Sequence, residues 1–414
     1  MQSAGNSFIS ALRWGTNIVA AQLVHYQNAV PTGIVLPVSD GQFTIDRNSE
    51  QRRQGQITVE VLPTIPPQTA TDQNGTWTIL PLVPTAHLAP FQNEISVQIS
   101  IVQAGANGIP VAGANGWVPL GMYQIASTTV DDSGIDLTAS LQLFDRSWAV
   151  AQRKFLAPYT VPAAAGDLQS ETVALLNTAW GSTPPWTYNI QPNAGYTVPA
   201  GTYNQGQDPW QAILDIYQSA GYEAFFDVNG NFVGQPIPNP ATSPVVWNFV
   251  EGAVASTGTF KHPISGTPYT TPVATSINMT RDGINNNFIV AATGPNNASG
   301  TAVPIQASAA DNNPASPTYV NGPMGNSPNF IFDSLITTQA QAQAEANYDL
   351  AQSLAKSWTI SVDATLNPLF DVDDVCSVTR PRLGLTNQLF VVDTVQTSIR
   401  YDALTTVSGR IVTL

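Results

Sequence analysis

The clearest pattern in the chain is the strict alternation of apolar and polar residues from Ile95 to Ile101. Isoleucine or valine occupies every odd position there, and serine or glutamine occupies every even one. A period of two predicts a β-strand with one buried face. The segments MYQIASTTV and IDLTASLQLFD, which begin at Met122 and Ile135, continue the pattern across a polar Asp-Asp-Ser-Gly turn. A meander of such strands is typical of a β-barrel or a β-sandwich.

This meander predicts an N-terminal β-barrel domain over residues 1–158. Shorter apolar segments at 18–26, 43–45 and 57–61 supply its earlier strands. Residues 64–90 are rich in proline and threonine and interrupt the strand pattern. Because long loops in compact domains are usually functional or disordered, we predict a long excursion from the barrel at this point.

Helical spacing replaces the alternation in the middle of the chain. Asp167 is a predicted N-cap of a helix that ends at Gly181, and Asp208 and Pro209 begin a second helix that ends near Gly221. The following segment, EAFFDVNGNFVG, predicts a hairpin with an Asn-Gly turn. We therefore predict a middle α+β domain over residues 159–275, with its aromatic residues in the core.

The last part of the chain combines one helix with a second meander. Thr338 is a predicted N-cap, and the spacing of three and four residues predicts that one helix face carries Ala340, Ala344, Tyr348, Ala351 and Ala355. The segments LFVVDTVQTSI and LTTVSGRIVTL then predict antiparallel strands that resemble those around Met122 in length and turn size. We predict a helix plus β-barrel domain over 337–414, preceded by a loop-rich connecting segment over 276–336.

The predicted fold class is therefore mainly β with α+β: two tube-type antiparallel β-barrel domains flank a middle α+β domain. Four segments carry a family resemblance, namely WQAILDIYQSAGYEAFFDVNGNFVGQPIP, TRDGINNNFIVAATG, DNNPASPTY and LNPLFDVDDVCSV. In order and spacing they resemble the baseplate hub proteins, or minor tail proteins, at the tail tip of long-tailed siphovirus-type bacteriophages. The resemblance covers most of the chain from about Asp40 onward.

The resemblance implies a structural role in the virion and no catalysis. Proteins of this family carry two related barrels, so a homotrimer presents six barrels in a pseudo-sixfold ring. Such a ring joins the tail tube and the distal tail protein ring to the tip and surrounds the DNA exit channel. The implied partners are further copies of the chain, the distal tail protein ring, the tape measure protein and other tail-tip proteins or fibres. Assembly is expected in the host cytoplasm.

Composition agrees with an assembly role and limits the alternatives. Only 10% of the residues are charged, and the net charge is −14. A surface that is poor in charge is easily buried against a partner, although a secreted β-rich protein would have a similar composition. The acidic balance repels phosphate and argues against nucleic-acid binding.

Cys376 is the only cysteine, which excludes an intrachain disulfide, and we predict that it lies in the core. No apolar stretch predicts a membrane segment.

The search for chemistry finds no catalytic motif. The signatures of serine hydrolases, zincins and nucleotide binders are absent. His25, His87 and His262 have no carboxylate at a spacing typical of a catalytic triad or a metal site. We predict that the three histidines are structural, that the protein is not an enzyme, and that it has no catalytic, cofactor-binding or metal residues. The alternative function is a cell-wall carbohydrate-binding or hydrolytic tail protein, which would need a pair of suitably placed carboxylates.

Two charged clusters remain as candidate functional residues. Arg47, Arg52 and Arg53 form the densest basic cluster, which indicates either salt bridges to a neighbouring subunit or a solvated loop. The aspartates of the other cluster, Asp371, Asp373 and Asp374, either cap a turn or bind calcium, although the glycine and glutamate of a calcium loop are missing.

The aspartates are also candidates for the wall of the DNA channel. Together with Asp131 and Asp132, the second cluster lies at predicted turns of the two barrels. An acidic wall would keep phosphates from binding. The equally weighted alternative is that these carboxylates cap turns on the outside of the ring.

Overall fold

The fold is taken from a computed structural model of the chain. It describes residues 17–27, 29–62, 67–72, 75–91, 93–103, 116–161, 166–181, 183–193, 196–198, 200–238, 242–251, 269–270, 272–296, 302–314, 316–333, 336, 338–400 and 404–411. His262 lies outside the described residues. No helix in these ranges has the length and apolar character needed to cross a bilayer.

The N-terminal half forms a closed antiparallel barrel, as the sequence predicts. Its strands follow one another around the ring in the order β1, β6, β7, β8, β3 and β2, and β1 also pairs with β2. The six strands are β1 (Asn17–Gln27), β2 (Val30–Asp46), β3 (Arg53–Val61), β6 (Asn93–Gln103), β7 (Val118–Asp132) and β8 (Leu137–Phe144). Closure leaves no free edge in the ring, so every strand of the barrel has two hydrogen-bonded neighbours.

The excursion after β3 is folded against this barrel. It contains the hairpin β4 (Thr69–Asp72) and β5 (Gly75–Thr78) and then a series of turns. Ile79, Leu80 and Leu88 from this segment are buried in the same core as the barrel strands. The described part of the excursion is therefore a packed cover and not a solvated loop.

The middle unit has its own aromatic core, as predicted. Trp210, Tyr217, Phe226 and Phe232 are among its fully buried side chains. Its helices are α1 (Arg146–Gln152), α2 (Leu168–Trp180) and α3 (Pro209–Ser219). Its strands are β9 (Tyr159–Val161), β10 (Tyr188–Ile190), β11 (Gly201–Tyr203), β12 (Tyr222–Phe226) and β13 (Phe232–Pro236).

The predicted helix caps of the middle unit are present. The Asp167 side chain accepts a hydrogen bond from the Ser170 backbone N–H, and Asp208 accepts one from the Trp210 N–H. Each carboxylate satisfies an N–H group that has no partner within its helix. The helix α1, which the sequence analysis did not predict, is capped in the same way by Asp145.

A second curved sheet occupies the C-terminal half. Its strands pair in the order β15, β14, β21, β22, β23, β20 and β16. They are β14 (Val245–Val250), β15 (Tyr269–Thr270), β16 (Ala274–Met279), β20 (Trp358–Thr365), β21 (Val375–Arg380), β22 (Leu385–Ser398) and β23 (Leu404–Ile411), with a short 3-10 helix at Pro381–Leu383. Within the described ranges, no backbone ladder joins β16 to β14 or β15.

The strand β14 shows how this sheet differs from the predicted division of the chain. The sequence analysis places residues 245–250 in the middle domain, whereas the strand runs parallel to β21. Trp247 and Phe249 of β14 pack against Phe370, and all three lie in the large core that also contains the barrel residues. Burial of these rings favours the C-terminal sheet over the middle unit as the position of β14.

The two large sheets are joined through one shared strand. The C-terminal end of β2, from Gln42 to Asp46, pairs antiparallel with β22 from Ser398 to Thr394. The same part of β2 pairs with β3 on its other side. The barrel and the C-terminal sheet are thus one continuous hydrogen-bonded structure.

The segment predicted to be loop-rich contains a small sheet. Its strands β17 (Asn287–Asn296), β18 (Ala302–Ala310) and β19 (Pro328–Phe332) pair in the order β18, β17, β19. The helix α4 (Gln339–Lys356) packs on this sheet and begins with the predicted cap at Thr338, which forms a capping box with Gln341. Residues 311–314 and 316–327 are turns and irregular segments, as expected, but the strands β18 and β19 were not predicted, because the sequence of β18, AVPIQASAA, contains a proline and several alanines that give a weak strand signal.

The buried face of α4 is not the predicted one. Ala342 and Ala346 are buried against the sheet, with Glu345 and Ser353 beside them. Ala344, on the predicted face, is exposed, as are Ala340 and Ala351. Alanine occurs on both faces of this helix, so the alanine spacing alone does not determine which face packs against the sheet.

Candidate functional site

The three arginines of the basic cluster meet acidic residues from distant parts of the same chain. Arg47 and Arg52 lie in the turn between β2 and β3, and Arg53 begins β3. Glu223 comes from β12, and Asp373 comes from the turn before β21. We call the set Arg47, Arg52, Arg53, Glu223, Asp371 and Asp373 the ionic junction.

The ionic junction connects the barrel, the middle unit and the C-terminal sheet. Arg52 Nη2 donates to Asp373 Oδ2 at 2.7 Å, and Arg52 Nη1 lies 3.3 Å from Glu223 Oε2. Arg47 Nε lies 2.8 Å from Asp373 Oδ1. Arg53 donates to Asp371 Oδ2 at 2.5 Å. All three arginines therefore contact carboxylates of the turn before β21, and Arg52 also contacts Glu223 of the middle unit.

Burial rules out both predicted roles of the arginine cluster. Arg53 is 1% exposed, Arg52 is also buried, and Arg52 stacks on the Phe225 ring at 3.8 Å. The cluster is neither a solvated loop nor a surface that is free to bind a neighbouring subunit. Its charges hold units of one chain together.

The charge states of the junction follow from burial and neighbouring ions. Burial by itself would raise the pKa of Asp371, but Arg53 and Arg52 hold that pKa below its ordinary value. Burial raises the pKa of Glu223, and Arg52 acts against this increase. Asp371 is thus held as a carboxylate by its arginine partners, so removal of an arginine leaves a half-buried charge with less compensation.

The aspartate cluster caps a turn, as one of the two predicted alternatives states. Asp374 Oδ2 accepts a hydrogen bond from the Asp371 backbone N–H at 2.9 Å, and Asp373 adopts a left-handed φ of 66°. Across the described ranges, no three histidine, cysteine, aspartate or glutamate side chains are grouped as metal ligands would be. Because the aspartates are engaged inside the chain, the hypothesis that this cluster lines a channel wall was wrong.

The other two aspartates of the channel hypothesis are exposed. Asp131 and Asp132 lie at the end of β7, where the β7–β8 hairpin extends beyond the buried part of the barrel. Asp132 Oδ1 accepts a hydrogen bond from the Gly134 N–H at 2.8 Å. Asp132 thus caps a turn and is also available on the surface.

Two histidines that lie far apart in the sequence are brought together. The rings of His25 and His87 are 5.0 Å apart, and His87 Nδ1 lies 3.7 Å from Asp72. His25 hydrogen-bonds Thr32 and Asn93, and burial lowers its pKa to about 4. Both histidines are almost fully buried. They connect the excursion to the barrel, which agrees with the predicted structural role.

A pair of acidic residues on α4 has raised pKa values. Burial raises the pKa of Glu345 to about 7 and that of Asp349 to about 6, and the nearby charge of Asp333 adds to the effect on Glu345. Glu345 is buried against the small sheet. The sequence analysis missed this pair, because acidic residues four positions apart are common on exposed helix faces.

An apolar groove of about 870 Å³ lies between α4, the middle unit and the turns of the small sheet. Its α4 wall contains Ala344, Ala351 and Ala355, which belong to the helix face that the sequence analysis predicted to be apolar. Met279 and Met324 are among the residues on its other walls. The predicted apolar face of α4 thus lines an open groove and not the core. Cys376, in contrast, lies in the core as predicted.

Comparison with known proteins gives a similarity of fold. No protein-family model matches the chain, and no curated protein matches it by sequence. The crystal structure of the tail protein from Neisseria meningitidis MC58 is similar, with a TM-score of 0.59 and 12% identity over 95% of this chain and 96% of that one. The 43 kDa tail protein of prophage MuSo2 from Shewanella oneidensis has the same TM-score and identity, over 95% and 98% of the two chains. The chain shares the fold of these tail proteins along nearly its whole length.

Proposed function

We propose that the chain is a structural hub protein of a phage tail tip or baseplate. Three copies form a pseudo-sixfold ring in the virion, which joins the tail tube and the distal tail protein ring to the tip. The ring surrounds the channel through which DNA leaves. Further partners are the tape measure protein and other tail-tip proteins or fibres.

The observation that carries this proposal is the presence of two large curved sheets in one chain. The closed barrel has six strands, and the C-terminal sheet continues from it through the β2–β22 ladder. Three copies of such a chain place six large curved sheets around one axis, so a threefold ring can meet a sixfold tube. The similarity of fold to two tail proteins supports the same conclusion.

Charge also supports a position around a DNA channel. Each chain has a net charge of −14, and a ring of three concentrates that charge around its axis. Phosphates are repelled by such a field, so DNA passes without adhering to the wall.

The mass in solution tests the proposal. Light scattering of the purified chain over a range of concentrations is expected to show conversion from the 44.0 kDa monomer to a trimer. Mixing with a purified distal tail protein ring is expected to give a complex with three copies per ring. A stable monomer, or six copies per ring, would contradict the proposal. An assay on purified peptidoglycan is expected to show no release of soluble fragments, whereas release would favour the wall-hydrolase alternative.

A further inference from the structure

The tip of the β7–β8 hairpin carries an isolated apolar side chain among carboxylates. Ile135 is 83% exposed, and Asp131, Asp132 and Asp136 surround it in the sequence and are exposed as well. An aliphatic side chain with this exposure contributes nothing to the core of its own chain. Together with its acidic neighbours it has the composition of a contact site for an apolar surface that also carries cations.

Internal hydrogen bonds hold this tip in one conformation. The Ser133 N–H donates to the Asp136 carbonyl at 3.1 Å, and the Asp136 N–H donates to the Ser133 hydroxyl at 2.9 Å. The Gly134 N–H donates to Asp132, and Gly134 adopts a φ of +80° that suits glycine. A tip that is already ordered loses little conformational entropy when it binds.

The groove beside α4 has complementary properties. Its volume of about 870 Å³ lies in the range of roughly 300–1,000 Å³ that is usual for binding pockets. Arg281 contributes positive charge, Arg410 is paired with Asp393 at 3.0 Å, and none of the described residues that line the groove is acidic. The sign of this wall differs from that of the chain as a whole, which has twice as many acidic as basic residues.

We propose that the β7–β8 hairpin tip of one copy docks in the α4 groove of a second copy. Ile135 enters the apolar part of the groove, and the aspartates approach Arg281 at its wall. The tip residues do not line the groove of their own chain. The contact joins two different surfaces, so it is head-to-tail and repeats from copy to copy until a ring closes. The inference rests on the proposed self-assembly and names the surfaces that perform it.

Charge complementarity favours a second copy as the occupant. The chain is acidic overall, so most random contacts between copies place carboxylates near carboxylates, which costs free energy. The tip and the groove avoid this, since the tip carries only negative charges, whereas the described groove wall has no acidic residue and presents Arg281. A contact of this kind allows an acidic chain to form a ring without placing carboxylates against one another.

Cysteine cross-linking tests the contact directly. The only native cysteine, Cys376, is buried, so introduced thiols react selectively. A chain with Ile135→Cys is mixed with a chain with Ala351→Cys and treated with a short bismaleimide. A covalent dimer is expected, and the double variant in one chain is expected to give a covalent trimer. The matched control replaces Ile135→Cys by Leu156→Cys, which is 90% exposed on another part of the surface and is expected to give no cross-link.

Substitutions measure the strength of the contact without disturbing the fold. Ile135→Asp is expected to weaken self-association by about 10- to 100-fold, since it removes a buried isoleucine from the contact. Leu156→Asp is expected to have no effect. Arg281→Asp is expected to weaken association, and the combination with Asp132→Arg is expected to restore it in part.

The outcomes separate this inference from the proposed function. Trimers without a cross-link between positions 135 and 351, and without an effect of Ile135→Asp, would overturn the inference and leave the hub function intact. A monomer at every concentration with no cross-link would overturn both. A small apolar molecule or a segment of the same chain in the groove, seen by native mass spectrometry or as an intrachain cross-link, would also overturn the docking of a second copy.

Discussion

The barrel and the C-terminal sheet reach a similar size in different ways. The barrel draws six strands from residues 17–144, and antiparallel pairing returns from β2 to β1. The C-terminal sheet draws its strands from residues 245–411 and includes β14, which pairs in parallel with β21. In the sequence, the small sheet and α4 come between the strands β16 and β20 of that C-terminal sheet.

The comparison shows where the fold depends on long-range packing. Every strand of the barrel has a ladder of at least five residue pairs on both sides. On its second side, β14 has only the two-residue strand β15 among the described partners. The burial of side chains must therefore supply for β14 much of the stabilisation that backbone pairing supplies in the barrel. We expect β14 to open more readily than the barrel strands.

The largest expected effect is at Trp247. Trp247→Ala removes a buried ring that packs against Phe370, which is expected to destabilise the protein by about 3–5 kcal/mol. Denaturant unfolding gives the total change, and hydrogen exchange is expected to increase mainly in β14 and β21. Ile99→Ala in the barrel is the control and is expected to cost about 2–5 kcal/mol without this local increase. If hydrogen exchange increased equally in all strands of both variants, the expectation that β14 opens more readily than the barrel strands would be contradicted.

A similar loss is expected when the ionic junction is broken. Arg53→Met leaves the half-buried Asp371 without its closest cation and is expected to cost about 2–4 kcal/mol in urea unfolding. The double variant Arg53→Met with Asp371→Leu is expected to recover most of that loss, because the uncompensated charge is gone. Arg382→Met, at an exposed position, serves as the control and is expected to change little. Failure of the double variant to recover would show that the junction acts through more than this pair.

A smaller, pH-dependent effect is expected at Glu345 on α4. Its pKa is about 7 in the folded chain and about 4.5 in the unfolded chain, so the folded chain binds the proton more tightly. The stabilisation is fully present below pH 4.5 and is lost as the pH rises through 7. Glu345→Gln is therefore expected to stabilise the protein by about 2–3 kcal/mol at pH 8 and hardly at pH 4. Thermal melts at both pH values test this, with the exposed Glu60→Gln as control; an equal gain at both values would contradict it.

The smallest effect is expected at the surface salt bridge between the two sheets. Arg400 donates to Asp40 at 3.1 and 2.6 Å, but the two side chains are 63% and 43% exposed. Arg400→Ala is expected to change the free energy of unfolding by less than about 1 kcal/mol, because water and salt screen exposed pairs. A larger change that persists at high salt would show that this pair, and not the β2–β22 ladder, holds the sheets together.

The parts of the fold that follow local rules could be predicted from the sequence. The caps at Asp167, Asp208 and Thr338 depend on residues within one helical turn, so their signals are complete in a short window. The barrel meander could be predicted for the same reason, since neighbouring strands in the sequence mostly pair in space.

The candidate sites could not be predicted, because distant residues form them. Arg52 and Asp373 are 321 positions apart in the chain, and no local pattern connects them. The parallel partner of β14 and the buried face of α4 were missed for a related reason. Tertiary neighbours select among faces and pairings that are equally acceptable locally. A signal for the hairpin tip was present, since an isoleucine among three aspartates in a turn is unusual, but exposure had to be seen in the structure.

The sharing of β2 between the barrel and the C-terminal sheet determines how the chain responds to mechanical load. Five residue pairs, from Gln42 with Ser398 to Asp46 with Thr394, connect the two sheets along this strand. The hydrogen bonds of an antiparallel ladder lie perpendicular to the strands. A force along β2 therefore shears all five pairs at once, whereas a force across it peels them apart one after another. The joint resists tension along the strand axis far better than tension across it.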